Sequence, residues 1–291
     1  MKFYTLYIYI IIFFSAQSGY TQPKNLINSY FNAVFSGNYP KAKKIVAGLN
    51  KNFPVSLKTQ LIIANYYSVM YETSGGQEKY FILTKKYADR AIKKLNEKKN
   101  LNNENVFRLI SAKSILMKID VRKKNYLKVA ENMQSVISRF KYAIKHENED
   151  DKMKFISGMY HYYVETAKED YPVIYPILLF YPSGDKEKGL KLMKECMQSE
   201  DLNIRIRSLW QSALIYYRDE KKISIAEKYF ESLLKIYPDN LIWQTEYLKA
   251  LKKFNLTKKA ELIQQTIYQT IKKSAFLTDE QKKYFTKIAK S

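Results

Sequence analysis

From Asn25 onward the apolar residues return at intervals of three and four, the spacing that lines one face of an α-helix. Roughly every 15 to 20 residues a short polar stretch interrupts them. The interruptions include SGNYP (36–40), SGGQE (74–78), NEKKNLNNEN (96–105), HENEDD (146–151), SEDLN (199–203), YPDN (237–240) and LTDE (277–280). Helices of this length joined by short turns pack antiparallel to their neighbours. The pattern therefore predicts an all-α chain of helical pairs running from residue 24 to 291. With only 8 Gly and 7 Pro there is little turn chemistry for a many-stranded alternative. Helix pairs that recur every 30 to 45 residues or so are the mark of a stacked array.

The clearest unit is residues 207–240, RSLWQSALIYYRDEKKISIAEKYFESLLKIYPDN. Trp210, Tyr217, Ala226, Phe230 and Pro238 stand at its fourth, eleventh, twentieth, twenty-fourth and thirty-second positions. In that spacing the unit resembles the tetratricopeptide repeat, and departs from it at the eighth position, where Leu214 replaces a small residue. Ala260 lies 34 residues after Ala226, and Ala42 precedes Pro54 by the same twelve residues that separate Ala226 from Pro238. Gly37, Asn38 and Tyr39 fall where the pattern turns between helices. A small side chain lets the second helix approach the first, aromatics fill the space between pairs, and Pro ends the second helix.

Residues 55–98 read as a further pair with an expanded SGGQE turn, and 103–145 and 150–198 as two looser pairs. In the last of these Phe155 and Tyr162 keep the aromatic spacing and Gly189 replaces the expected Ala. Thr278 with Gln281 three residues on is a capping box, suited to a closing helix. The resemblance implies a right-handed α-α superhelix, a tetratricopeptide-like solenoid of about five to six helix pairs with a carboxyl-terminal capping helix.

Charge and chemistry narrow what such an array could do. The formal net charge is +22, but only seven of the 50 Lys+Arg are Arg, and the lysines are spread along the whole chain. Nucleic-acid recognition favours the bidentate Arg fork and a gathered stripe, so no nucleic acid is expected as a partner. One cysteine, Cys196, leaves neither a disulfide nor a thiolate metal cage, and its apolar helical setting predicts a buried, inert thiol. His161 and Glu165 share a helix face without a recognisable third ligand, and His146 opens a polar loop. No GxxxxGK[ST], GxGxxG, GxSxG or HExxH pattern occurs. The expectation is no catalysis, no cofactor and no metal.

Lys2 is followed by the apolar run FYTLYIYIIIFF and then SAQSG, the order of a secretory signal over residues 1–18 with a mature start between Gln17 and Gly19. The run is shorter than the roughly 20 residues that span a bilayer. An exported protein, periplasmic or extracellular, is expected.

The resemblance places the first helix of each pair on a concave groove that receives a protein or peptide. The groove positions so implied are Ile115, Arg122, Ile156, Tyr160, Tyr163, Gln211, Ile215, Arg218, Thr245, Lys249 and Lys252. They are aromatic in the middle and basic towards the carboxyl end, which suits an acidic partner. A second candidate is YPVIYPILLFYP, within the apolar insertion 170–182, whose three prolines forbid one uninterrupted helix. Its Tyr175, Ile177, Leu178 and Phe180 either fold back over the array or form a docking patch for a partner or a membrane. The expected function is an exported non-catalytic scaffold of the cell envelope. The rival readings are an envelope glycan-binding protein that stacks sugars on some of its 26 Tyr, 15 Phe and 2 Trp, and a membrane-associated assembly factor that docks through the insertion.

Overall fold

A computed structural model describes residues 24–98, 102–170 and 181–291. The signal segment 1–18 and the insertion residues Tyr175, Ile177, Leu178 and Phe180 lie outside the described residues. Those described form fourteen α-helices and no strand. In chain order they are α1 (Lys24–Phe35), α2 (Tyr39–Asn52), α3 (Leu57–Thr73), α4 (Glu78–Asn96), α5 (Asn103–Arg122), α6 (Tyr126–Gln134) and α7 (Ile137–Lys145). They continue as α8 (Asp151–Asp170), α9 (Lys186–Cys196), α10 (Leu202–Arg218), α11 (Ile223–Ile236), α12 (Leu241–Lys253), α13 (Thr257–Lys273) and α14 (Asp279–Lys290).

The polar breaks supply the caps. An Asn or Asp side chain that accepts from a first-turn N–H satisfies a donor the helix itself leaves open. Asn38 does this for Lys41 at 3.1 Å, Asn102 for Asn105 at 2.8 Å, Asp185 for Lys188 at 2.9 Å and Asn240 for Trp243 at 3.1 Å. The Thr278–Gln281 capping box forms in both directions.

The turn inside each of several pairs is one recurring device. Gly37, Gly75, Lys124, Lys221 and Asn255 take positive φ directly or almost directly after a helix, at 72°, 76°, 60°, 54° and 58°. After four of them the next residue donates its N–H to the carbonyl five residues back: Asn38 to Ala33, Gly76 to Tyr71, Asn125 to Asp120 and Leu256 to Leu251. This is the closure of a helix on a left-handed residue. Lys221 and Asn255 stand 34 residues apart, so the turn repeats with the period of the sequence pattern.

One expectation is revised. Residues 103–145 hold three helices rather than a pair, because the second breaks at Ser135–Val136, where the Val136 side chain is wholly buried.

The chain divides into two compact units whose boundaries fall within α4 and α10. In the unit of residues 85–208, α8 packs on α7 and α9, and α5 on α6, α7 and α8. Contact between α8 and α9 is backbone to backbone. A Cβ on Gly189 would lie 2.6 Å from the Tyr162 N and 2.8 Å from the Gly158 O, so the glycine in place of Ala is what lets the helices meet. Phe155 and Tyr162 are fully buried there.

In the unit of residues 24–84 and 209–291, the fitted aromatics form one cluster. Trp210 and Tyr217 meet Phe230 at centroid distances of 6.0 and 6.1 Å, and Phe230 stacks on Tyr247 at 5.0 Å. Ala226 beside them is wholly buried and Ala260 nearly so. This unit also joins the two ends of its sequence. Asn240 donates to the Phe35 carbonyl at 2.8 Å, Tyr237 to Asn32 at 2.5 Å, and Gln281 of α14 to Thr73 of α3 at 2.9 Å. In an open array each repeat touches only its neighbours, and bonds across about 205 residues are additional to that logic.

Candidate partner-binding surface

The groove positions expected from the repeat pattern fall into three groups. Ile115, Ile156, Tyr160, Gln211, Ile215 and Thr245 are buried, so they pack the interior and offer no surface. Arg122, Tyr163 and Arg218 are half-buried, and only Lys249 and Lys252 are exposed. A first helix lying between two neighbours is covered on most sides, and α12 is buried along almost its whole length.

The basic end is assembled from the last turns of α10 and α12. Arg218 and Lys249 both bind Glu246: the guanidinium at Oε1 and the ammonium at Oε2, 3.2 Å away. Tyr217 donates to the same carboxylate and accepts from Arg218 Nε at 2.8 Å. Burial works to raise the Glu246 carboxyl, but the Arg218 and Lys249 charges and the hydrogen bonds from Tyr217 and Arg218 outweigh it and bring it down to about 2. Burial, together with the Glu246 charge, pushes the Tyr217 phenol well up, so it remains a neutral donor.

One carboxylate thus holds two cations, and more cations surround it. Lys253 lies 5.5 Å over the Tyr217 ring, which also carries the Arg218 guanidinium at 5.2 Å. Burial, and then the nearby Arg218 and Lys221, hold Lys253 below the ordinary lysine range, with Asp219 opposing. Lysines in a last turn are favoured by the helix dipole, and Lys252 also reaches the Ala289 carbonyl in the last turn of α14 at 3.5 Å. The dipole accounts for their position but not for the crowding. Cations gathered this closely attract an anion.

In the other unit, the two sequence histidines resolve differently from a metal site. His161 Nε2 faces Glu147 at 3.9 Å rather than forming a pair with Glu165, and neither ring nitrogen makes a hydrogen bond. Glu147 binds Lys188 at 2.7 Å and accepts from Ser157. Burial works to raise its carboxyl, but those hydrogen bonds, with the Lys188 and His161 charges, hold it below the usual range. Burial and then Lys188 lower His161, keeping it neutral near pH 7 against the pull of Glu147 and Asp185. His146 bonds Glu149 at 2.5 Å and stacks on Tyr142. No group of three His, Cys, Asp or Glu able to hold a metal occurs among the described residues. Cys196 is buried, and burial pushes its thiol up to about 12.

At the last residue of the insertion, the Pro182 carbonyl accepts from Tyr160 of α8 at 2.7 Å. Trp210 and Trp243 are buried, so the tryptophans serve packing and present no platform for sugars. No helix among the described residues is long and apolar enough to cross a membrane. No protein family matches the chain, and neither a curated protein nor a solved structure is significantly similar to it.

Sequence reasoning placed cations at the carboxyl end, yet it missed Glu246, Tyr217 and Lys253. The i, i+3 spacing of Glu246 and Lys249 was a readable signal. The approach of Arg218 from another helix was not.

Proposed function

We propose that the chain is an exported, non-catalytic scaffold of tetratricopeptide type, a right-handed superhelical array that binds an acidic protein or peptide segment of the cell envelope. The observation that carries this reading is that Lys253 and the Arg218 guanidinium share the Tyr217 ring, at 5.5 and 5.2 Å, while Lys249 binds the same Glu246 carboxylate as Arg218. The array itself is supported by the left-handed turns at Lys221 and Asn255, one repeat apart. Export rests on the amino-terminal segment alone.

Arg218 is committed to Glu246, so the contacts offered to a partner are the exposed Lys253 and Lys252, the latter at the cost of its long 3.5 Å contact with the Ala289 carbonyl. The test is fluorescence anisotropy of a labelled Glu-rich peptide against the full chain. Binding is expected to weaken as salt rises, because exposed charges are screened within about 8 Å at 0.15 M, and to weaken again in Lys252→Glu/Lys253→Glu. Affinity indifferent to both refutes the reading.

A further inference from the structure

The start of α6 carries an exposed apolar pair in a basic setting. Leu127 is 83% exposed and Tyr126 50% exposed, although α6 has a proper inner face. Val129 and the partly buried Met133 of the same helix pack onto Met117 and Val121. The outward pair is therefore additional to the packing rather than a slip in it.

Its surroundings are positive. Lys124 and Lys128 are exposed on either side, with half-buried Lys123 next to them. The first turn of α6 contains no acid, so the partial positive charge of the helix start is not offset there. The adjoining Asp120 is buried and accepts from the Asn125 amide at 3.2 Å, and the next acid, Glu131, is a full turn further on.

We propose that this tip docks on an anionic lipid surface, with Tyr126 and Leu127 entering the boundary between headgroups and acyl chains and the lysines meeting the lipid phosphates. A side chain that is 83% exposed protrudes. It cannot enclose a peptide as a groove does, but it can be enclosed by a deformable medium. Apolar burial and attraction to anionic headgroups are the two contributions that hold peripheral elements at the interface. The inference stands apart from the acidic-partner reading, which uses other residues.

The test is sedimentation of the full chain with vesicles of phosphatidylcholine and phosphatidylglycerol in equal parts, and with phosphatidylcholine alone. Partitioning is expected on the mixed vesicles, with loss at high salt. Leu127→Ser should weaken it about tenfold, and Lys124→Glu/Lys128→Glu at least as much. Leu127→Trp should bind with blue-shifted emission. Far-ultraviolet circular dichroism of each variant should match the parent. Equal binding to neutral vesicles, variants that bind like the parent, or unshifted Leu127→Trp emission would overturn the proposal. So would capture of the chain by a single-stranded oligonucleotide in preference to the mixed vesicles, which would make the tip a general polyanion contact.

Discussion

Two glycines make opposite forecasts for one chemical change. Gly48 lies inside α2, and a Cβ placed on it meets nothing within 4 Å. Gly48→Ala therefore removes the backbone-entropy penalty of a mid-helix glycine at no steric cost, and should stabilise by about 0.5–1 kcal/mol. Gly189 lies inside α9, where Ala would gain the same propensity. Its Cβ would stand 2.6 Å from the Tyr162 N, 2.8 Å from the Gly158 O and 2.9 Å from the Tyr162 Cβ. These are main-chain and first-side-chain atoms of α8, and they cannot swing aside as a lysine tip can. The helices must separate, and overpacking of that kind costs about 1–3 kcal/mol. Gly189→Ala should therefore be destabilising by about 1–2 kcal/mol net of the propensity gain. The assay is urea unfolding followed by circular dichroism, in which the midpoint should rise for Gly48→Ala and fall for Gly189→Ala at unchanged slope. A Gly189→Ala variant as stable as the parent would refute the close approach of α8 and α9.

Ala226 is wholly buried, and Ala226→Leu should lower stability by about 1–3 kcal/mol in the same assay. Glu246→Gln should cost about 3 kcal/mol, because it leaves Arg218 and Lys249 without their shared carboxylate. The Glu246 carboxyl lies at about 2 in the folded chain against an ordinary 4.5, so its contribution is full above pH 4.5 and is lost as the pH falls towards 2. The parent should lose stability over that window more steeply than Glu246→Gln, and parallel acid titrations would contradict the pairing. Cys196, with its thiol pushed up to about 12, should react with Ellman's reagent at pH 8 only after unfolding. Intact mass of the mature protein should correspond to a start between Gln17 and Gly19.

Periodicity made the helices legible because helix faces write a local pattern, and each of the seven polar breaks falls at a helix boundary. The turns inside the pairs leave less of a mark. At 123–125, 220–222 and 254–256 the left-handed residue is Lys124, Lys221 or Asn255. Lysine ranks among the helix formers, so a turn built on it leaves no mark. The structure tolerates the left-handed lysines, at a cost of about 1 kcal/mol each, where the closing bonds and the packing of the pair outweigh it. The candidate site was half legible for a related reason. The lysines of the last turn of α12 follow one another in sequence, whereas Tyr217 and Arg218 of α10 meet Glu246 of α12 only in the folded chain.

The contacts least visible in the sequence bear on how the larger part of the protein holds together. In a stack of repeats, stability is close to a sum of unit and neighbour terms, and the end units fray first. In the unit of residues 24–84 and 209–291, α1 and α3 are fastened to the α11–α12 turn and to α14 by the bonds of Asn240, Tyr237 and Gln281. Gln281 is buried while also completing the capping box of α14, so one side chain both starts the last helix and ties it to the third. Gly37 is drawn into the same junction, since a Cβ there would come within 3.4 Å of the Asp239 carbonyl. Neither end of this unit is then a free cap. Its amino-terminal helices depend on residues synthesised about 200 positions later, and closing so long a loop is an entropic cost met only when both segments are in place. Loss of α14 should consequently loosen α3 as well as its neighbour α13, a pattern that a chain of purely local repeats would not produce.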